Sequence, residues 1–335
     1  MRLLLTGASG FIGTNLIDSW AGDCEAIVNY SMSRPLREED EVYWREGDIM
    51  DGEGLRAAMA EARPTVVVHL AARTDCDEET TVEAGYGVNT EGTRHLLEAV
   101  KGCESVERLI VTSSQFVCRA GHMPKDDLDF NPETVYGESK ARSEVITREV
   151  DPDCVWTITR PTNVWGPYHM RYSREFWKVL DRGWYLHPGV KTPTRCYAYV
   201  GNVLWQMRRI LELPGEKVHG KVFYLGDRPT DIVEWIEGFH RGITGRDKMR
   251  VLPYGVIRAA ALGGDVIGKV TGRKFYISSS RLRSMTTDYL TPMEPTFEVL
   301  GEPPYSLEEG IGESVAWFRE WRERLGDERL RAGGG

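Results

Sequence analysis

The sequence has few of the residues that build metal sites or disulfide frameworks. Its six cysteines are scattered along 335 residues with no Cys-x-x-Cys pair, and its seven histidines include no pair at ligand spacing. This pattern suggests neither a zinc site nor a set of disulfides. We therefore expect no metal centre, and we expect the cysteines to remain reduced thiols.

Long apolar runs and an excess of basic residues are absent as well. No segment has the length and composition of a membrane span, and the first apolar run begins at Met1, which leaves no room for a cleavable leader. These absences predict a cytoplasmic protein without a membrane partner. The net charge of −9 argues against nucleic acid as a partner, because binding a polyanion requires a basic face.

A glycine-rich segment near the amino terminus is the first feature with a chemical meaning. Residues 1–5 have the character of a strand, residues 6–13 read Thr-Gly-Ala-Ser-Gly-Phe-Ile-Gly, and a helical pattern follows. Strand, tight turn and helix in this order present backbone N–H groups and the positive end of a helix dipole to a pyrophosphate. The spacing of Gly7, Gly10 and Gly13 differs from the commonest dinucleotide fingerprint, so the segments that follow carry part of the argument.

Further apolar segments alternate with helical patterns along the first half of the chain. They cover residues 25–29, 65–72 and 108–114. Strands that are apolar on both faces imply a parallel sheet covered by helices, with ligands bound at the carboxyl ends of the strands. The sequence therefore predicts an α/β fold with a doubly wound parallel sheet of the Rossmann type.

A serine, a tyrosine and a lysine form a candidate catalytic set. Tyr136 and Lys140 lie four residues apart and so share one face of a helix, and Ser114 ends an upstream apolar run. A free tyrosine loses its proton near pH ~10, and a neighbouring ammonium favours the phenolate. We expect Tyr136 to act as a general acid or base near neutral pH, with Ser114 orienting the reacting hydroxyl or carbonyl.

Seven motifs occur in an order that resembles one known family. They cover residues 6–13, 69–72, 88–93, 112–114, 136–140, 160–167 and 195–200. With these motifs the chain resembles the extended short-chain dehydrogenases/reductases of the nucleotide-sugar epimerase and dehydratase group, from residue 1 to about residue 213.

The resemblance implies an organisation of the chain. A Rossmann domain of residues 1–160, with a return segment at about 195–213, would hold NAD or NADP. A smaller, interleaved α/β substrate-binding region would comprise residues 161–194 and 214–330, and a disordered tail would follow at 331–335. Within that region we expect helices at Ser173–Trp184, Thr230–Gly242 and Ser306–Arg324.

The same resemblance implies site residues position by position. Those expected at the cofactor are Gly7, Gly10, Phe11, Ile12, Gly13, Asn29, Arg34, Asp48, Ile49, Leu70, Ala71, Ala72, Asn89, Thr112, Tyr136, Lys140 and Pro161. Those expected at the substrate are Ser114, Asn163, Arg195 and Tyr197. Asn163 and Arg195 would touch the diphosphate of a nucleotide sugar, the arginine through its planar donors. Arg281 or Arg283, in a serine-rich loop, would be a second diphosphate clamp.

The choice of dinucleotide depends on the end of the second strand. Relatives that bind NAD carry an acid there on the ribose hydroxyls, and this chain is expected to place Asn29 at that position. Asparagine still hydrogen-bonds a ribose hydroxyl and does not repel a 2′-phosphate, to which Ser31, Ser33 and Arg34 would offer donors. We expect NAD because the group most often uses it, and NADP stays open.

Two departures from the family pattern narrow the chemistry. Gln115 and Phe116 follow the catalytic serine where dehydratases carry an acidic pair, and neither an amide nor a phenyl ring performs acid/base work. Phe116 also stands about where relatives that epimerise next to a keto group carry a cysteine. The leading hypothesis is a nucleotide-sugar epimerase that acts at carbon 4 through a transient ketone.

Two alternatives remain beside this hypothesis. One is an NADP-dependent reductase or dehydrogenase of a keto sugar or another carbonyl compound, which would consume cofactor stoichiometrically. The other is a non-catalytic dinucleotide-binding protein, against which the intact Ser114, Tyr136 and Lys140 argue. By resemblance we also expect a homodimer, formed by the helix after Asn89 and the helix that contains Tyr136. The loops at 167–193 and 276–289 would shape the sugar pocket.

Overall fold

The computed structural model of the chain describes residues 1–189, 193–271 and 278–332. Its first elements are β1 (Arg2–Thr6), α1 (Phe11–Trp20), β2 (Ala26–Ser31), β3 (Trp44–Glu46), α2 (Gly52–Ala62), β4 (Val66–His69), α3 (Val82–Gly85), α4 (Gly87–Lys101), β5 (Arg108–Thr112), α5 (Val135–Val150), β6 (Val155–Pro161) and β7 (Asn163–Trp165). The later elements are α6 (Met170–Tyr172), α7 (Lys178–Asp181), β8 (Leu186–Gly189), β9 (Thr194–Arg195), β10 (Tyr197–Tyr199), α8 (Val200–Glu212), α9 (Gly215–Val218), β11 (Val222–Leu225), β12 (Thr230–Asp231), α10 (Ile232–Thr244), β13 (Arg250–Pro253), α11 (Tyr254–Thr271), α12 (Ser279–Ser284), α13 (Glu294–Leu300) and α14 (Leu307–Ala332). Parts of the two predicted pocket loops, at 190–192 and 276–277, and the last tail residues, 333–335, lie outside the described residues.

The chain divides into two compact units. The larger one, called the sheet unit below, comprises Met1–Tyr168, Ala198–Asp227 and Thr291–Tyr305. The second unit comprises residues 169–197, residues 228–290 and the residues from 306 onward.

Seven parallel strands form the sheet of the sheet unit, in the order β11-β6-β5-β4-β1-β2-β3. β1 lies between β2 and β4, and the register sets Leu5 beside Asn29 and Val68. β1, β4 and β5 are buried along almost their whole length, as a parallel sheet covered on both faces requires. The strand order reverses between β1 and β4, which marks the point where such sheets bind ligands. The predicted Rossmann-type fold class is confirmed.

The boundaries of the two units differ from the expected ones. Residues 161–168, 214–227 and 291–305 were expected in the substrate region, but they belong to the sheet unit. The reason is clearest for the second of these segments, because it contains β11, which extends the sheet beyond β6. Residues 195–197 were expected to return to the cofactor domain, but they lie in the second unit.

The helices of the second unit also differ in extent. The helix expected at 173–184 begins with α6 at Met170 and continues through a π-helical turn to the end of α7 at Asp181. Trp184 therefore lies beyond the helix, and it is 64% exposed. α14 continues to Ala332, so the expected disordered tail is wrong for its first two residues.

The described residues carry neither a metal cluster nor a membrane span. All six cysteines are free thiols. No group of three or more His, Cys, Asp or Glu side chains in the described ranges is placed to hold a metal ion. No helix in those same ranges is both long and apolar enough to cross a membrane.

A buried ion pair joins α5 to the sheet. Oε1 of Glu144 accepts hydrogen bonds from Nε of Arg160 at 2.8 Å and from the Ser113 hydroxyl at 2.6 Å. Arg160 is 1% exposed, and it also donates to the Tyr224 hydroxyl at 3.0 Å and to the Asp127 carbonyl at 2.7 Å. Because both charges have several partners, the protein tolerates them in its core. The pair fixes α5 against the ends of β5 and β6.

We predict that Glu144→Gln lowers the free energy of unfolding by about 3–5 kcal/mol, because it leaves the Arg160 guanidinium buried without a counter-charge. Urea unfolding followed by circular dichroism measures this loss. Glu41→Gln is the control, since Glu41 pairs with exposed Arg34 at 2.7 Å and its loss should cost less than about 1 kcal/mol. Equal losses in the two variants would contradict the structural role of the buried pair.

Candidate active site

The glycine-rich turn joins β1 to α1. Gly7 has a φ of +72°, which side chains rarely adopt, and its N–H donates to the Tyr30 carbonyl at 3.2 Å. At Gly13 a Cβ atom would lie 2.2 Å from Cα of Ala8, so a glycine is needed for α1 to pack this closely on the turn. Gly10 caps the ten-residue helix α1 and has no side chain that could cover the helix terminus. The positive end of this helix suits a pyrophosphate.

Ser114, Tyr136 and Lys140 come together where β5 ends beside α5. The Ser114 hydroxyl lies close enough to the Tyr136 phenol to lower its pKa. Oγ of Ser114 also accepts a hydrogen bond from the Phe116 N–H at 3.2 Å, which orients the hydroxyl. Tyr136 and Lys140 are 8% and 2% exposed and lie one helical turn apart on α5. The predicted catalytic set is thus assembled in a largely water-excluded place.

Burial shifts the pKa values of the tyrosine and the lysine in opposite directions. It raises the pKa of Tyr136 to about 12, while the nearby Ser114 hydroxyl lowers it. It lowers the pKa of Lys140 to about 8, while the charge of Glu144 raises it. The expectation that Lys140 brings the Tyr136 pKa toward neutrality is not met in this structure, because desolvation disfavours the charged form of both groups.

His69 ties the end of β4 to β1 and α4. Its Nδ1 lies 2.7 Å from the Thr6 hydroxyl, and its Nε2 lies 3.0 Å from the Thr93 hydroxyl. Since the Thr93 hydroxyl donates to the Asn89 carbonyl at 2.9 Å, it accepts from His69, and this places the ring proton on Nε2. Burial and the charge of Lys140 lower the pKa of His69 to about 3, so the ring is neutral at pH 7. The sequence analysis included His69 in a motif but missed this role.

Asn89 uses its side chain within the protein. Its Oδ1 accepts from the Arg73 N–H at 2.8 Å, and its Nδ2 donates to the Arg73 carbonyl at 3.0 Å and to the Ser139 hydroxyl at 2.8 Å. These bonds hold the segment after β4, in which the expected cofactor residues 70–72 lie, against α5. Asn89 therefore holds this part of the site in place, and its expected contact with the cofactor stays a prediction.

The expected position of Asn29 at the end of β2 is corrected. β2 continues to Ser31, so Asn29 is not the last residue of the strand. Its side chain is fully buried, donates to the Ser9 hydroxyl at 3.1 Å and accepts from the Ser31 hydroxyl at 2.6 Å. The amide supports the glycine-rich turn, and its contact with a ribose hydroxyl stays a prediction. Arg34, the candidate partner of a 2′-phosphate, forms an exposed ion pair with Glu41.

Other residues expected at the cofactor lie at the carboxyl ends of strands. Asp48 and Ile49 follow β3, where Oδ1 of Asp48 accepts from the Met50 N–H at 2.9 Å and Ile49 packs in the core. Thr112 ends β5, and its buried hydroxyl has no hydrogen-bond partner among the described residues. Pro161 ends β6 and is buried. Their contacts with a cofactor remain predictions.

The residues expected at the substrate are divided between the two units. Asn163 lies in the sheet unit, where its Oδ1 accepts from Nε2 of Gln115 at 3.3 Å, so it lies next to the residue that follows Ser114. Arg195 lies in the second unit on β9, is 8% exposed and donates to the Thr287 carbonyl at 3.2 Å.

Tyr197 and the two late arginines also belong to the second unit. The ring of Tyr197 stacks on Trp235 with centroids 4.8 Å apart, and burial raises the pKa of this tyrosine. Arg281 and Arg283 were expected in a loop, but they lie in helix α12. Arg283 is exposed. That one of them clamps a diphosphate stays a prediction.

The sheet unit fits a dinucleotide by two independent features. The turn before α1 leads into the positive end of a ten-residue helix with a glycine at its N-cap, which suits a pyrophosphate. The ammonium of Lys140 is fully buried, and the hydrogen bonds of the described residues include none that it donates. A buried cation needs a polar partner, and a ribose hydroxyl bound above α5 would supply one.

Residues 3–226 match the NAD dependent epimerase/dehydratase family. The chain belongs to this family. The match covers the whole sheet from β1 to β11, together with the glycine-rich turn and the Ser114, Tyr136 and Lys140 set. The expectation of an NAD-dependent enzyme of the extended short-chain dehydrogenase/reductase type is confirmed.

Relatives of known activity align along nearly the whole chain. The chain is 27% identical over 331 residues to the N-acetyl-alpha-D-glucosaminyl-diphospho-ditrans,octacis-undecaprenol 4-epimerase of Escherichia coli O157:H7, covering 94% of this chain and 95% of that protein. It is 27% identical over 335 residues to the UDP-glucose 4-epimerase of Vibrio cholerae, covering 96% and 97%. The fold is similar to that of UDP-glucose 4-epimerase of Thermotoga maritima, solved with UDP-glucose, with a TM-score of 0.71, 24% identity and coverage of 96% and 99%.

We predict that Gly13→Ala weakens NAD binding at least about tenfold and destabilises the protein by about 1–3 kcal/mol, because the added Cβ pushes α1 away from the turn. Titration calorimetry with NAD and urea unfolding measure the two effects. Gly22→Ala is the matched control, since a Cβ there meets nothing within 4 Å. An unchanged NAD affinity in Gly13→Ala would argue against the turn as the pyrophosphate site.

We predict that Lys140→Met is more stable than the wild type near pH 7 when no dinucleotide is added. The pKa of Lys140 is lowered to about 8 in the folded protein, below the ordinary value of 10.5, so the unfolded chain binds more protons between these pH values. Wild-type stability therefore rises with pH through that window, and its deficit to Lys140→Met should shrink by about 3 kcal/mol. Urea unfolding at several pH values measures the gap, and a constant gap would contradict the burial of a charged lysine.

Proposed function

We propose that this chain is an NAD-dependent epimerase that inverts carbon 4 of a sugar carried on a diphosphate. The observation that carries the proposal is the buried Tyr136 phenol, which lies beside the Ser114 hydroxyl and one helical turn from the buried Lys140. Two relatives that align with nearly the whole chain are 4-epimerases, and they support the same reaction.

The residues of this chain divide the work of proton transfer. Tyr136 takes the proton of the C4 hydroxyl and later returns it, and Ser114 holds the oxygen in place by hydrogen bonding. Bound NAD supplies the acceptor and donor of hydride. With a pKa of about 8, Lys140 is protonated at pH 7, and in a dry site its charge stabilises the phenolate that develops during the reaction.

The side chains after Ser114 support epimerisation over dehydration. Gln115 is buried and donates to Asn163, and the ring of Phe116 meets Tyr136 edge-on with centroids 6.1 Å apart. Neither residue offers the carboxyl that a 4,6-dehydratase needs for its second proton transfer. Tyr136 as the proton-transfer group is sufficient for epimerisation, in which hydrogen is removed from one carbon and returned to the same carbon.

The group that carries the diphosphate is either a nucleoside or a polyprenol. Both carriers occur among the relatives, in UDP-glucose 4-epimerase and in the undecaprenyl-linked enzyme, at the same 27% identity. We propose the nucleotide sugar as the first substrate to test and the polyprenyl-linked sugar as the second. A reductase of a carbonyl substrate is the competing reaction.

The cytoplasm is the proposed compartment, and a homodimer is the proposed assembly. The expected dimer would form through α4 and α5, which pack against each other in the sheet unit. Val145 on α5 is 39% exposed and available to such a contact.

The test is to incubate the purified chain with NAD and UDP-glucose or UDP-N-acetylglucosamine, and to follow the anomeric protons by NMR. We expect interconversion of the gluco and galacto forms with no net accumulation of NADH. Stoichiometric NADH would instead identify a dehydrogenase and overturn the proposal.

Tyr136→Phe should lower the epimerisation rate by about 10²–10⁴-fold, because the phenol is the proton-transfer group. Tyr305→Phe is the control, since it removes the hydroxyl of a 41% exposed tyrosine elsewhere in the sheet unit, and it should keep full turnover. Full activity in Tyr136→Phe would rule out the assigned role.

A further inference from the structure

The second unit carries a helix whose exposed face is apolar. α11 packs on its own unit along a narrow line formed by Ile257, Ala261 and Gly264. Ile257 and Ala261 form a cluster there with Leu282 of α12. The opposite side of the helix is exposed, although a helix on a protein surface normally presents polar side chains to water.

The exposed side is apolar over a wide arc. At 3.6 residues per turn, the exposed residues between positions 256 and 267, other than Arg258, span about 160° of the helix. They are Val256, Ala259, Ala260, Leu262, Gly263, Val266 and Ile267. Val256, Leu262 and Val266 are 53%, 56% and 62% exposed. Arg258, at the border of the arc, is the one exposed charge between residues 254 and 268.

The sequence around this helix is strongly basic in an acidic protein. Residues 246–283 contain nine lysines and arginines and two aspartates, whereas the whole chain has a net charge of −9. Both aspartates are engaged by protein groups, since Asp247 pairs with Arg241 at 3.4 Å and Asp265 accepts from the Ser279 N–H at 3.2 Å. The basic side chains ahead of the helix, Lys248 and Arg250, are exposed.

Apolar side chains flanked by basic ones match an anionic lipid surface. Such a surface takes the apolar residues at the level of its head groups and attracts the lysines and arginines electrostatically. A second copy of the chain is a poorer occupant, because a symmetric contact sets the same basic segment against itself. The charge pattern therefore favours an anionic lipid surface over a second copy of the chain.

We propose that α11 docks this enzyme on the surface of an anionic membrane. The exposed face of α11 enters the head-group region, and Lys248, Arg250 and Arg258 contact lipid phosphates. The expectation of no membrane partner rested on the lack of a spanning segment, and a docking helix needs none. This consequence rests on the proposed function: docking favours the polyprenyl-linked sugar over the nucleotide sugar as the substrate. The diphosphate of a polyprenyl-linked sugar lies at the membrane surface, where α11 would dock.

The test is co-sedimentation of the full chain with vesicles of phosphatidylcholine alone or with an equal part of phosphatidylglycerol. We expect the wild type to bind the anionic vesicles, and added salt should weaken that binding. The double variant Leu262→Gln, Val266→Gln should bind about a hundredfold more weakly, because two apolar side chains no longer enter the lipid. Lys248→Gln with Arg250→Gln should weaken binding about tenfold, and only to the anionic vesicles.

The matched control is Val42→Gln with Leu128→Gln, which replaces two apolar residues of the sheet unit that are 79% and 60% exposed. This control should bind vesicles as the wild type does. The proposal is overturned if the wild type stays in the supernatant or if the α11 variant binds equally well. It is also overturned if light scattering shows that the α11 substitutions only dissociate an oligomer. Vesicle binding by inactive Tyr136→Phe separates docking from the proposed reaction.

Discussion

The buried carboxylate of Glu144 is the contact on which the geometry of the candidate site depends. It lies one helical turn beyond Lys140 and two turns beyond Tyr136, and it accepts hydrogen bonds from Ser113 and Arg160. Ser113 is the neighbour of Ser114, so a single carboxylate sets the position of α5 relative to the end of β5.

The same burial that fixes this geometry makes the unliganded site costly. It holds the pKa of Tyr136 high and that of Lys140 low, so the charged forms that proton transfer needs are disfavoured until a polar ligand contacts them. Glu144 opposes this for Lys140, since its charge raises the lysine pKa. The carboxylate of Glu144 thus helps to position Ser114 through Ser113, and it also helps to keep Lys140 protonated. These two effects explain why the costly ion pair between Glu144 and Arg160 is useful here.

Features that depend on residues close together in the chain could be predicted from the sequence. The strands around the site, the glycine-rich turn and the Tyr136 and Lys140 spacing depend on residues close together in the chain, and each was found. Long-range contacts could not be predicted in this way. Asn29 was assigned to the ribose because the second strand was ended two residues early, and only the folded chain shows its bonds to Ser9 and Ser31. The lowered pKa of His69 likewise depends on its burial in the folded chain and, to a lesser degree, on Lys140, which is 71 residues away in the sequence.

Helix α11 was not predicted from the sequence, and the reason is physical. Helices at 230–242 and 306–324 were found because their polar and apolar residues alternate with a helical period. Residues 254–271 include four glycines, which lower helix propensity, and only three charged residues from which a period could be read. In the structure, α11 covers only one narrow line of its surface with protein. Protein contacts one side of this helix, and the basic residues beside it indicate that anionic lipid covers the other.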